Sequence, residues 1–255
     1  MGKRRTGRWA VIVLAVCVLG AWIADTVAAA RVEKTISSTI RQDNTTAGEP
    51  RVWVGGTPYL LALATGTVPT VAIDMGDVDV PDFGLVTLRT DATGITVTPQ
   101  QVLGGDWQGA TAKYLVHSMR LDGTSLGAQL GMDDLQISNP VDISPMGEPQ
   151  TEALLTGTPP GVDDRFSVLV KLRITAGVVS ITPLEIRSSP QVGPAVQQQA
   201  LNAFTWSSDS ADLPIGGRAS SIQCTGGSIL IQSATDNVRL NHDNLSPRPG
   251  IPATG

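Results

Sequence analysis

The chain has 255 residues, 41% hydrophobic, 16% charged and 4% aromatic, with 27 glycines and 17 prolines. It is too apolar for a disordered chain and too often punctuated for a helical bundle. The net charge of −5 hides a split: Lys3, Arg4, Arg5 and Arg8 crowd the amino terminus, and residues 31–255 carry 14 basic against 22 acidic groups, or −8. Nucleic-acid affinity comes largely from Lys and Arg neutralising phosphates, so no nucleic-acid partner is expected.

After the basic start, Trp9 to Ala24 is a 16-residue run without a charge. As a helix it rises about 24 Å, short of the roughly 30 Å hydrocarbon core of a bilayer. Residues 1–24 therefore read as a signal peptide or an N-terminal membrane anchor of an exported, envelope or periplasmic protein. Counting on to Ala30 adds one acid, Asp25, and gives a length that spans. Ala28-Ala29-Ala30 offers a cleavage site, but a cut there removes the first turn of the next helix, which favours retention. Leu14-Ala15-Val16-Cys17 resembles a lipobox, although Val16 is too large before the cysteine. Cys224 then has no partner in the body and reads as a small buried apolar residue.

Ala24, Ala28, Val32, Ile36 and Ile40 recur every four residues, with Arg31, Glu33, Lys34, Ser37, Ser38 and Arg41 on the other side. That predicts an amphipathic helix from Asp25 to Ile40, lying against a sheet. Gln42 to Pro50 reads as a loop. Thr57 to Gly66 predicts a short helix, capped by Thr57, with Pro58 in its first position and Gly66 past its end. The period then changes to two, and strands are expected at 71–75, 85–90, 94–98, 112–121, 166–175, 178–187, 203–208 and 228–233, separated by turn residues as in antiparallel meanders. The prolines between Gln129 and Pro160 predict turns and a flap. Gln191 to Ala203 suggests a short helix, and residues 241–255 a disordered Pro-rich tail after a body spanning 25–240.

The chemistry-bearing residues assemble no nucleophile, base and orienting group. His242 borders the tail. His117 shares strand parity with Leu115 and Met119, so Ser118 points to the opposite face and cannot pair with it. The acids of Asp74-Met75-Gly76-Asp77-Val78-Asp79 do not match an EF-hand, and no zinc spacing exists. No catalytic residue, metal or cofactor is expected, and binding is favoured over catalysis. The alternating apolar faces fit two readings, an ordinary packed core, which patterning alone favours, or a groove for an acyl chain.

The order Ala24-Asp25 helix, Val52-Trp53-Val54-Gly55-Gly56-Thr57-Pro58-Tyr59-Leu60, β-region, Ile181-Thr182-Pro183 and Leu213-Pro214-Ile215-Gly216 resembles the actinobacterial LmeA-type family of phospholipid-binding envelope proteins, from about residue 24 to Leu240. The resemblance implies an α+β, TULIP-like (BPI-like) fold, a long amphipathic helix packed on a strongly bent antiparallel sheet. It also implies a phospholipid or other acyl lipid as partner and, for one branch, support of mannan elongation. The lining expected on this reading is Val32, Ile36 and Ile40 of the long helix, Tyr59, Leu60 and Leu63 of the short one, and Val71 and Ile73 of the first strand. The alternatives are an envelope scaffold that binds a membrane glycosyltransferase, and an envelope hydrolase using His117.

Overall fold

The computed structural model describes residues 3–43, 50–140 and 149–245. The side chains of Ile40 and His242, residues 44–49 of the expected loop, residues 141–148 of the flap expected between Gln129 and Pro160, and residues 246–255 of the tail expected at 241–255 lie outside the described set; residues 242–245 of that tail are helical, with Leu245 buried. Helix α1 (Lys3–Asp43) is unbroken over 41 residues, about 60 Å. Its stretch Ile12–Ser38 is long and apolar enough, by length and composition, to cross a membrane, and Ile12, Leu14, Val16, Leu19, Trp22 and Ile23 are all at least half exposed. A helix apolar on every side is stable only in an apolar surrounding.

From Asp25 on, α1 packs against the body. Its buried seam is Asp25, Val32 and Ile36, with Ala28 and Ala29 partly covered, while Ala24 is exposed. Strict four-residue spacing drifts around a helix of 3.6 residues per turn. The seam mixes steps of three and four, so the predicted stripe holds in its middle and fails at Ala24.

Two antiparallel sheets follow. The first has the order β1-β2-β3-β4-β11-β10 and is strongly curled; the second runs β5-β6-β7-β8-β9. Strand β1 (Arg51–Gly55) leads into a 3-10 turn (Tyr59–Leu61) and α2 (Ala62–Thr65). Next come β2 (Thr67–Val80), β3 (Gly84–Thr96), α3 (Pro99–Gly104) and β4 (Thr111–Leu121). Helix α4 (Gly123–Leu130) carries the chain to β5 (Gln136–Ser138), β6 (Gln150–Gly157), β7 (Phe166–Thr175) and β8 (Val178–Ser188) of the second sheet. After α5 (Pro194–Ala203) and β9 (Trp206–Asp209), the chain returns through Leu213–Gly216 to β10 (Ala219–Thr225) and β11 (Ser228–Arg239), and ends its described part in α6 (His242–Leu245). This is the expected α+β, TULIP-like architecture.

Several local expectations need correcting. The two strands expected at 85–90 and 94–98 are one, β3, because pairing with β4 continues past Gly94. Residues 203–208 are the end of α5 and the start of β9. Gln150–Gly157 is a central strand and not flap, since its prolines flank the period-two pattern without interrupting it. The Thr57 cap is not made. Pro58 is extended (φ −76°, ψ 138°), the turn starts at Tyr59, and the Leu60 N–H is met at 2.6 Å by the Asp25 carboxylate of α1. Gly66 does hold the left-handed position, φ 68°. The motif Ile181-Thr182-Pro183 sits where β8 slips register against β7, the kind of irregularity that lets a strand hold proline.

Candidate functional site

Sequence parity builds one wide inner face on the curled sheet. Across it, Val54 of β1 lies opposite Val71 of β2, then Ala92, then Leu115. The next row runs Val52, Ile73, Thr90, His117 and Ser233, and the one beyond it Met75, Leu88, Met119, Ile231 and Ile222. Val52 and Thr235, opposite Leu115 on β11, lie at its margins; the other members are buried. Five to six neighbouring strands thus present a continuous apolar surface, interrupted only by the polar row through Thr90, His117 and Ser233.

Helix α1 closes the open edge of this sheet. Its packing is on β1, the Tyr59–Leu61 turn, α3 and α6, so it seals the side of the curl instead of lying along the middle of its face. The Val54 N–H, which no neighbouring strand takes, donates to Glu33 Oε1 at 3.0 Å, and Ser37 Oγ donates to the Pro50 carbonyl at 3.1 Å. These contacts cover an edge strand that would otherwise template aggregation. Gly105 (φ 75°) lets α3 approach closely, since a Cβ there would stand 3.1 Å from Val32 Cα.

The expected lining residues divide into groups. Val32, Ile36, Tyr59, Val71 and Ile73 are buried in one continuous apolar cluster, with Leu60 packed against it. Leu63 is 39% exposed. The side chain of Ile40 lies outside the described set. Tyr59 is held by a bond from its hydroxyl to the Val102 carbonyl, 2.8 Å. Burial is the main cause that pushes its pKa up to about 12; the neighbouring Trp107 opposes the rise, and the Asp25 charge adds to it. Among the described residues the Trp107 indole N–H has no hydrogen-bond partner. Beside this turn a shallow cleft of about 180 Å³ is lined by Gly55 to Pro69, smaller than the roughly 300 Å³ at which small-molecule pockets begin.

Sequence reasoning missed three participants. Asp25, read as an acid to be tolerated at an interface, caps the Tyr59–Leu61 turn. Glu33, read as solvated, holds the edge strand. The Leu213–Gly216 segment, noticed only as a motif, presses on the inner face: Ser233 Oγ donates to the Ile215 carbonyl, and Gly216 sits against the His117 ring. No periodicity signals such a contact between residues a hundred positions apart.

His117 is 4% exposed, with Thr90 Oγ1 3.0 Å from Nδ1. Desolvation lowers its pKa from 6.5 to about 4. Between those values the unfolded chain binds more protons, so stability is present above pH 6.5 and lost as the pH falls towards 4. The full loss is about 3 kcal/mol. Urea midpoints should therefore drop over this window in the parent protein, and much less in His117→Gln. The buried ring is held by the Thr90 hydroxyl on one side and lies against Gly216 on the other. Ser118, facing the other way, accepts from Gln232 at 3.0 Å. Asp74 and Asp91 are both engaged by Arg89, at 3.2 and 2.7 Å. Burial pushes the Cys224 thiol up to about 11, leaving it unreactive.

With this geometry in view, comparison with known proteins gives one match: the family model described as LmeA-like phospholipid-binding fits residues 23–234, from the packed half of α1 to the middle of β11. No curated protein and no solved structure matches the chain.

Proposed function

Because the chain belongs to the LmeA-like phospholipid-binding family, we propose that it is a non-enzymatic lipid-holding protein of the cell envelope. Residues 1–24 anchor it, and the body from 25 to 240 takes up an acyl chain. The observation that carries this reading is the continuous apolar inner face of the curled sheet, closed along one edge by α1. An acyl chain of about 16 carbons gains on the order of 13 kcal/mol on leaving water, at about 0.8 kcal/mol per CH₂. A membrane supplies the same gain, so a competing site must be dry and free of unpaired polar groups along its length. The polar row of the inner face is internally satisfied through Thr90–His117 and Ser233–Ile215, which supports that reading.

The way in is the seam between α1 and β1. Besides the packing of Val32 and Ile36, two part-buried hydrogen bonds hold it, from the Val54 N–H to Glu33 and from Ser37 Oγ to the Pro50 carbonyl. Each such bond contributes about 1 kcal/mol net, and an entering acyl chain takes over the apolar cover of Val32 and Ile36. Val32 and Ile36 on one side and Val71 and Ile73 on the other then line the chain. Support of lipoglycan assembly is a role we propose for the bound lipid, as its carrier or sensor. Native mass spectrometry of the full chain, purified in mild detergent and released in the spectrometer, is expected to show a phospholipid-sized mass adduct. A bare chain throughout, with no lipid in its organic extract, overturns the proposal.

A further inference from the structure

The uncharged run of α1 is by itself shorter than the hydrocarbon core, and a longer span along this helix takes in Asp25. Trp9 to Ala24 supplies about 24 Å against about 30 Å. The helix continues without a break into the body, whose first contact is Asp25 with Leu60. At this same end Leu61, Leu63 and Leu103 are 54%, 39% and 66% exposed, on two turns joined by the Tyr59–Val102 bond. Residues 52–73 and 92–105 of this end contain no charged side chain, in a chain that is 16% charged, and Asp106, Lys113 and Arg239 stand beside them at its rim. The opposite end of the β2–β3 hairpin carries Asp77, Asp79 and Asp82.

We propose that this leucine-bearing end is a membrane-docking surface, with Leu61, Leu63 and Leu103 immersed in the same bilayer that holds α1 and the charges at its rim left at the lipid headgroups. The hydrocarbon span then extends to about Ala28, which removes the deficit in length. Asp25 would ordinarily forbid this, since a carboxylate in hydrocarbon costs several kcal/mol unless partnered. Here it is 8% exposed and accepts the Leu60 N–H, so the body covers it as the helix leaves the membrane. Docking also sets the seam between α1 and β1 at the lipid surface, and a lipid reaches it without crossing water.

This inference rests on the anchor reading of α1, and its test separates the two. Nitroxide labels are placed one at a time at Leu14→Cys, Leu61→Cys, Leu63→Cys, Leu103→Cys and Leu85→Cys in full-length Cys17→Ala protein, Cys224 being buried. The protein is reconstituted in vesicles of equal parts phosphatidylcholine and phosphatidylglycerol. The ratio of oxygen to nickel-chelate accessibility should rise severalfold at 61, 63 and 103 over that at the exposed, remote residue 85, approaching the value at 14. Water-like values at 61, 63 and 103 with an immersed 14 overturn the docking surface and leave the anchor. A water-like 14 removes the anchor, and the inference with it.

Discussion

Gly216→Val is expected to destabilise the fold by about 3 kcal/mol or more, from two causes that add. Gly216 has φ +63°, a region that β-branched side chains avoid, and a Cβ there would stand 2.9 Å from His117 Cδ2 and 3.0 Å from Nε2. The ring cannot swing away, because it is buried and tied to Thr90. The segment it would displace, Leu213–Gly216, contributes Leu213 and Ile215 to the core and covers the polar row of the inner face. Urea unfolding checks the value. Gly216→Ala in a His117→Ser background should recover the part due to the clash and retain the part due to φ. A loss below about 0.5 kcal/mol, the range of unremarkable surface changes, would show that the segment does not press on the ring.

The second large effect is on the ligand. Ile36→Asp sets a carboxylate on the helix side of the seam, where the parent residue is 6% exposed. A partnerless charge in an apolar site costs several kcal/mol, so lipid occupancy should fall at least tenfold, the equivalent of about 1.4 kcal/mol. The conservative variant Ile36→Val should lose little. Co-purified lipid per mole of protein measures both, with near-ultraviolet circular dichroism to confirm packing. A folded Ile36→Asp protein carrying the parental amount of lipid removes Ile36 from the lining.

Much of this fold was legible because its signals are local. Period-two patterning in Val71, Ile73 and Met75, and again in Leu115, His117 and Met119, placed those side chains on one face, and the sheet then assembled that face from its rows. The short helix was only half legible. Gly66 announced its end through the left-handed backbone it adopts, but the start depended on Asp25, a partner 35 residues away. Strand β6 was hidden by proline counting, although Thr151, Ala153, Leu155 and Gly157 alternate inward. The position of α1 was not legible at all. An apolar stripe says that a helix packs, not whether it lies on a sheet's face or along its edge, and it was Glu33 and Ser37, on the side read as polar, that fixed it to the edge.

An acyl chain held between α1 and the curled sheet lies within reach of photo-crosslinking. Full-length protein is reconstituted with a phospholipid bearing a diazirine near the end of its acyl chain, irradiated and digested, and the modified residues are mapped. The expected label falls on the peptides carrying Val32 and Ile36 and on the one carrying Val71 and Ile73, in addition to the membrane half of α1, and Ile36→Asp reduces it on the β2 peptide. Label confined to α1 before Asp25 and to the exposed leucines of the docking end would mean that lipid touches the outside of this protein and never enters it.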